Sequence, residues 1–159
     1  FMLDIKVKYL ADVDKIEEIP NGDWIDLRCA VDVDLKKGDF YEIPLGVAME
    51  LPKGYEAWLT SRSSMCKKFG IVHVDDLGVI DNSYCGDNDQ WFLPVMAVRD
   101  TVIKANTRIC QFRLNKTMKS EYGEIRFRHV EKLGNPDRGG LGSTGEQEVN
   151  SGKEIGSID

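Results

Sequence analysis

Three stretches of this chain carry side chains whose types and spacing suit chemistry on a phosphorylated ligand. The first, DRGGLGSTG at 137–145, offers Arg138, four glycines and the hydroxyls of Ser143 and Thr144. Glycine lets backbone N–H groups approach phosphate oxygens closely and arginine supplies a fixed fork of donors, so the combination suits a polyphosphate. It is not a Walker A loop, because no Lys-Ser/Thr pair follows and no strand or helix pattern flanks it. The second stretch, SRSSMCKKFGI at 61–71, sets Arg62 beside Ser63 and Ser64 and then adds two lysines. The third, GVIDNSYCGDNDQWF at 78–92, places the carboxylate of Asp81 between apolar Val79-Ile80 and a polar turn, with Tyr84 three residues on. A β-hairpin of that order presents a base and a flat ring to one pocket. The plainer alternative is a turn in which Asp81 satisfies backbone amides while Tyr84 packs into the core.

The elements that must position these groups read as strands. Leu3, Ile5, Val7 and Tyr9 alternate with Asp4, Lys6 and Lys8, the period-2 pattern of a half-buried strand. Cys110, Phe112 and Leu114 alternate with Ile109, Gln111 and Arg113, and Ile125 and Phe127 alternate with Arg126 and Arg128. Turn signals fall between them: PNGD at 20–23, KKGD at 36–39, LPKG at 51–54 and CGDND at 85–89. Short strands with frequent turns predict an all-β barrel or sandwich. Helical pattern is confined to short pieces around 12–19 or 63–69. From Leu133 the texture becomes glycine, serine and charge, which buries too little to hold itself. It reads either as a disordered tail or as a flap that orders over a ligand. The division is therefore a barrel domain at 1–133 and a flexible arm at 134–159.

Bulk properties remove several function classes. The 159 residues are 42% hydrophobic and 30% charged, the balance of an ordinary globular domain. A net charge of −6 argues against a broad grip on nucleic acid, while leaving room for a small anion bound by a few local cations. No apolar run is long enough for a membrane span. The opening FMLDIKVKYL lacks the apolar block of a signal peptide, and Met2 behind Phe1 reads as the natural start. Cys29, Cys66, Cys85 and Cys110 form no CxxC pair and only two histidines accompany them, so a zinc site is not expected. Reduced thiols in a cytoplasmic protein are the simpler reading.

Taken in order, NGDWIDLRCA (21–30), SRSSMCKKFG (61–70), LGVIDNSYCG (77–86), NTRICQFRL (106–114) and DRGGLGSTG (137–145) resemble the five motifs of the trimeric dUTP diphosphatases. The resemblance spans residues 3 to 145, and GDWIDL, PLGVAMELP and CGDNDQWF are most similar to the branch found in Gram-positive bacteria and their phages. It implies a jelly-roll-type β-barrel assembled as a homotrimer, with sites shared between subunits and the last motif closing over a neighbour's nucleotide. It also implies hydrolysis of dUTP to dUMP and pyrophosphate with Mg²⁺. Asp81 matches the carboxylate that aims water at the α-phosphorus, and Arg62, Ser63, Ser64 and Gln111 match phosphate-contacting groups. Arg108 matches either a phosphate-linked or an interface arginine. Asp26 matches the aspartate that reaches the metal through water; its plain alternative is a strand-edge carboxylate. Gly78, Val79 and Ile80 match the strand that reads uracil, and Tyr84 the ring beneath the deoxyribose. Arg138, Gly140, Leu141, Ser143 and Thr144 match the closing arm.

Three positions depart from the family pattern. Asp75 stands where relatives often carry an asparagine on the base, and a carboxylate cannot donate. Leu141 replaces an aromatic ring, for which Phe92 or Trp91 offers a substitute unless both are core. Asn106 replaces the glycine of a Gly-Asp-Arg turn, and asparagine tolerates the left-handed conformation such a turn needs. Two other readings accompany the enzyme: a dCTP deaminase-like relative, and a phage-encoded protein in the host cytoplasm that binds a host regulatory protein under nucleotide control.

Overall fold

The computed structural model describes residues 2–17 and 21–140. The chain divides into two compact units, Phe1–Ile125 and Arg126–Asp159. In the first unit the elements run β1 (Lys6–Tyr9), β2 (Ile25–Arg28), β3 (Val33–Leu35), β4 (Phe40–Pro44), β5 (Val47–Glu50) and β6 (Tyr55–Ser61). They continue with α1 (Met65–Phe69), β7 (Ile71–His73), β8 (Gly78–Ile80), β9 (Phe92–Ala97), β10 (Thr101–Ile103), β11 (Arg108–Lys116) and α2 (Met118–Tyr122). Every ladder is antiparallel, and strands adjacent in sequence often lie in different sheets: β2-β11-β6-β8, β4-β9-β7, β10-β3 and β1-β5. That crossing connectivity is of jelly-roll type and contrasts with a simple meander. Among the described residues no helix is long and apolar enough to cross a membrane.

The core is built where the alternation expects it. In β1, Val7 and Tyr9 turn inward while Lys6 and Lys8 stay exposed. Across the sheets Ile43, Leu93, Val95, Ile103, Ile109 and Phe112 are almost fully buried. Burial of a side chain such as Phe112 contributes about 1.5–3 kcal/mol. Phe112 also meets Trp91 edge to face, with ring centroids 5.2 Å apart and planes at 79°. That arrangement favours the ring quadrupoles.

Two sequence expectations are corrected. Ile109 does not alternate outward from Cys110; both are buried. The ladder of β11 with β2 shifts register between Arg108 and Cys110, and such a bulge turns two successive side chains to the same side. Ile125 and Phe127 carry no strand, because an alternating segment needs a neighbouring ladder and none of the described residues pairs with them. The helical pattern around 63–69 is realised in α1, whereas residues 12–17 hold no helix. In the second unit, residues 126–140 contain no strand or helix.

Candidate active site

The third chemical stretch forms a short strand and a self-wired loop, not the expected β-hairpin: β8 ladders with β6 while β9 ladders with β4 and β7, so the two flanking strands lie in different sheets. Strand β8 pairs with β6 in the register Gly78↔Leu59, Val79↔Trp58 and Ile80↔Ala57, so Asp81 emerges at the strand's end. Its Oδ2 accepts from the Ser83 backbone N–H at 2.9 Å and from the Ser83 hydroxyl at 2.8 Å. Those two bonds to the charged form, the backbone one first, hold the Asp81 carboxyl below the usual carboxylate range. Among the described residues Oδ1 takes no hydrogen bond, which leaves it facing solvent. Next to it Asn82 points inward, and its amide donates to the carbonyls of Pro52 at 2.9 Å and Tyr55 at 2.8 Å. Tyr84 donates its hydroxyl to Gln90 O at 2.8 Å, and partial burial, then the nearby Asp89 charge, push its phenol up. The Gly86 N–H donates to Asp89 Oδ2 at 2.8 Å and closes the tip.

Asp81, Tyr84, Gly78, Val79, Ile80, Asp75 and Phe92 share the wall of an open cleft of about 480 Å³, together with His73, Gln90 and Trp91. The structure thus brings together the residues of this stretch that the sequence singled out. It also separates the two candidate rings: Trp91 is 1% exposed and packed in the core, whereas Phe92 is 39% exposed beside the cleft. Asp75 is exposed on the rim.

The phosphate-type residues gather elsewhere, on the face of β2, β11 and β6 and the loop after it. Arg62 Nε lies 3.0 Å from Asp26 Oδ1, and Arg108 Nε lies 4.0 Å from Asp26 Oδ2. Gln111, paired with Asp26 on one side and Thr60 on the other, donates weakly to Ser61 O at 3.4 Å. Burial, seconded by the Asp26 charge, pushes the thiol of neighbouring Cys110 well up, so it stays protonated. Beyond β6, Ser63 and Ser64 are exposed, and Ser64 takes a left-handed φ of 73° as it enters α1. Arg62, Ser63, Ser64, Cys66 and Lys67 line a second open hollow of about 580 Å³. Arg99 fastens the far end of α1 by donating to Lys67 O at 3.0 Å and Lys68 O at 2.9 Å. Gly70 follows with φ 60°, and a Cβ there would lie 2.5 Å from Arg99 Cγ.

The NTR turn keeps its shape as expected: Asn106 adopts φ 70°. Its side chain accepts from Asp14 N at 2.8 Å, and its carbonyl accepts from Arg28 at 2.7 Å. Arg138 and Gly140 lie in the second unit, and Leu141, Ser143 and Thr144 lie outside the described residues. Sequence reasoning missed Ser83, Asn82, Gln90 and His73. For Ser83 a signal existed, since Asp-x-Ser is an Asx-turn pattern. For the others, whose partners are backbone carbonyls or amides, none did.

A single carboxylate between two guanidinium groups is a poor cage for a bare cation. Among the described residues no three His, Cys, Asp or Glu side chains converge on a common point. Asp26 fits Mg²⁺ through an intervening water, with a triphosphate supplying the remaining oxygens.

By fold and connectivity the chain falls in the all-β class of jelly-roll-type proteins. Comparison with known proteins narrows that class, because the dUTPase family model matches residues 24–145. The chain belongs to the dUTPase family, which is a family of enzymes. It is 54% identical over 144 residues to the SPbeta prophage-derived deoxyuridine 5'-triphosphate nucleotidohydrolase YosS of Bacillus subtilis, covering 90% of this chain and 99% of that one. Among solved structures, a mutant Staphylococcus bacteriophage 80alpha dUTPase with dUpNHpp matches at TM-score 0.70 and 20% identity, over 89% of this chain and 98% of its own. A mutant dUTPase from phage phi11 of S. aureus, described with a structural Mg(II) ion, matches at TM-score 0.64 and 18% identity, over 82% and 98%. At such identities these structures speak for the fold.

Proposed function

We propose that this protein hydrolyses dUTP to dUMP and pyrophosphate, with Asp81 as the base. The observation that carries this reading is the Asp81 carboxylate itself. One oxygen is fixed by Ser83, the other is open, and both stand at the mouth of a cleft walled by a strand and two rings. In the reaction, Asp81 orients a water and accepts its proton as the water oxygen bonds to the α-phosphorus. The bond from that phosphorus to the α–β bridging oxygen breaks, and pyrophosphate leaves. A carboxylate held below its usual range is a modest base, so positioning supplies much of the acceleration.

The strand at Gly78–Ile80 reads uracil by backbone polarity, and Tyr84 closes the sugar side against a 2′-hydroxyl. Arg62, Ser63, Ser64 and Gln111 bind phosphate oxygens, with Asp26 holding the Arg62 guanidinium in place. Asp26 would hold Mg²⁺ through water, and the ion would supply charge neutralisation for the pyrophosphate leaving group.

The site is shared between copies of the chain. Asp81 leaves β8 just past the Ile80↔Ala57 pair, while Arg62 follows the opposite end of β6. Roughly 17 Å of extended strand separates those levels. That separation supports phosphate donors for a nucleotide beside Asp81 coming from a second copy of the chain. A homotrimer with three such shared sites satisfies this, with the motif at 137–145 closing each one.

The test is pyrophosphate release from dUTP, dCTP, dTTP and UTP with and without Mg²⁺. Selective, Mg²⁺-stimulated release from dUTP is expected. Equal release from all four, or ammonia from dCTP, would overturn the reading.

A further inference from the structure

The turn between β7 and β8 is tied to one side chain. Asp76 takes a left-handed φ of 57°, uphill for any residue with a Cβ. Its N–H donates to the His73 carbonyl at 3.4 Å, and its own carbonyl lies 3.1 Å from His73 Nδ1. The same carbonyl accepts from Thr60 Oγ1 at 3.1 Å. A carbonyl only accepts, so this bond requires Nδ1 to carry the proton, and in the neutral ring Nε2 is then an acceptor. Nε2 is buried and has no hydrogen-bond partner among the described residues, in a residue 9% exposed. A phenylalanine or leucine would fill the space without stranding a polar atom, so the compensating gain lies at Nδ1. On its other side the ring backs β8: Cε1 is 3.9 Å from where a Cβ on Gly78 would sit. His73 also lines both the Asp81 cleft and the hollow beside Arg62.

We propose that His73 is a positioning residue for base recognition. Its Nδ1–H tautomer locks the backbone of residues 75–78, so that the amides and carbonyls there meet the fixed donor–acceptor edge of uracil. The inference rests on the dUTP reading above. Because Nε2 is buried, the imidazole touches no substrate and acts through Asp76 and Gly78. Asp81 is anchored separately, by Asn82 on Pro52 and Tyr55 and by Ser83. Loss of the pin therefore falls on binding and discrimination, not on the water-activating carboxylate.

His73→Phe keeps a ring and removes the donor, whereas His73→Asn keeps a nitrogen at the same branch point. For His73→Phe we expect KM for dUTP to rise roughly tenfold or more, preference over dCTP to fall by a similar factor, and kcat to stay within about twofold. His73→Asn should recover most of both losses, a rescue that ring packing alone would not give. Unchanged KM and preference in folded His73→Phe, or an Asn variant as impaired as the Phe variant, would overturn the proposal. Should His73→Phe fail to fold, His73→Leu removes the donor with a smaller apolar side chain and must show the same split; wild-type values there would overturn the proposal equally. Independently, ¹⁵N spectra of histidine-labelled wild type should show His73 protonated at Nδ1; protonation at Nε2 would defeat the pin. A wild type inactive on dUTP would sink the functional reading instead, and the tautomer would still decide whether the pin exists.

Discussion

The loop around Asp81 and the arginine–serine end of the same sheet are held in different ways. In the loop the bonds that shape it are short in sequence: Ser83 to Asp81 spans two residues, Gly86 to Asp89 three and Tyr84 to Gln90 six, with Asn82 alone reaching 30 and 27 residues back to Pro52 and Tyr55. At the phosphate end they are long: Gln111 reaches Ser61 across 50 residues, and Arg99 reaches α1 across 31 and 32. The ion pair of Arg62 with Asp26 likewise joins the loop after β6 to β2, two parts of the sheet with β11 between them. A local network aims one carboxylate and favours its charged form. A long-range network fixes cations only once the sheet has formed, and it leaves Ser63 and Ser64 open for a ligand. Base chemistry and phosphate binding thus sit on regions with different dependence on the whole fold.

The sharpest way to break this contrast is Asp81→Asn. It keeps size and the turn while removing the base, so turnover should drop by about 10²–10⁴-fold with binding of a dUTP analogue retained. Pyrophosphate release and calorimetry check the two halves, and near-normal turnover would remove Asp81 as base. Arg62→Ala attacks the long-range network. It should cost roughly 10- to 100-fold in kcat/KM, mainly through KM, as expected for losing a charge-assisted hydrogen bond to phosphate. A mainly kcat effect would show that the arginine acts in the transition state instead.

Tyr84→Ala opens the sugar side of the cleft. Discrimination against UTP should relax by about tenfold, measured as the ratio of kcat/KM for the two nucleotides. Unchanged selectivity would return Tyr84 to a structural role. The smallest effect is expected for Ser83→Ala. Both Ser83 bonds favour the ionised form, so the folded pKa of Asp81 lies below its ordinary value and the base is charged down to acid pH. Deleting the hydroxyl raises that pKa toward the ordinary value, and the acid limb of the kcat/KM profile should move to higher pH. A limb that stays in place would mean the backbone N–H alone holds the carboxylate.

Much of this was legible because it is local. The short strand ending at Asp81, the strand alternation in β1 and the left-handed turn at Asn106 each depend on residues within a few positions, where side-chain period and turn chemistry speak directly, whereas the expected hairpin closure fails because β8 and β9 join different sheets. The bulge that buries Ile109 beside Cys110 was not legible, because it is a relation between two strands and leaves no mark on either alone. The choice between Phe92 and Trp91 was open for the same reason. They are neighbours at the start of β9, Trp91 just before it and Phe92 its first residue, and the Phe112 ring across the core packs the former inside.

By itself the amino-acid order determined the strand-rich class, the family and the strand-to-loop stretch that carries Asp81, since these rest on period, turn residues and motif order. Only the tertiary structure decided which carboxylate would neutralise Arg62, which ring would face the cleft, and that His73 would close the turn at Asp76. Those outcomes depend on distances between strands far apart in the chain, and distance across a sheet is set by packing and register, which no local pattern encodes.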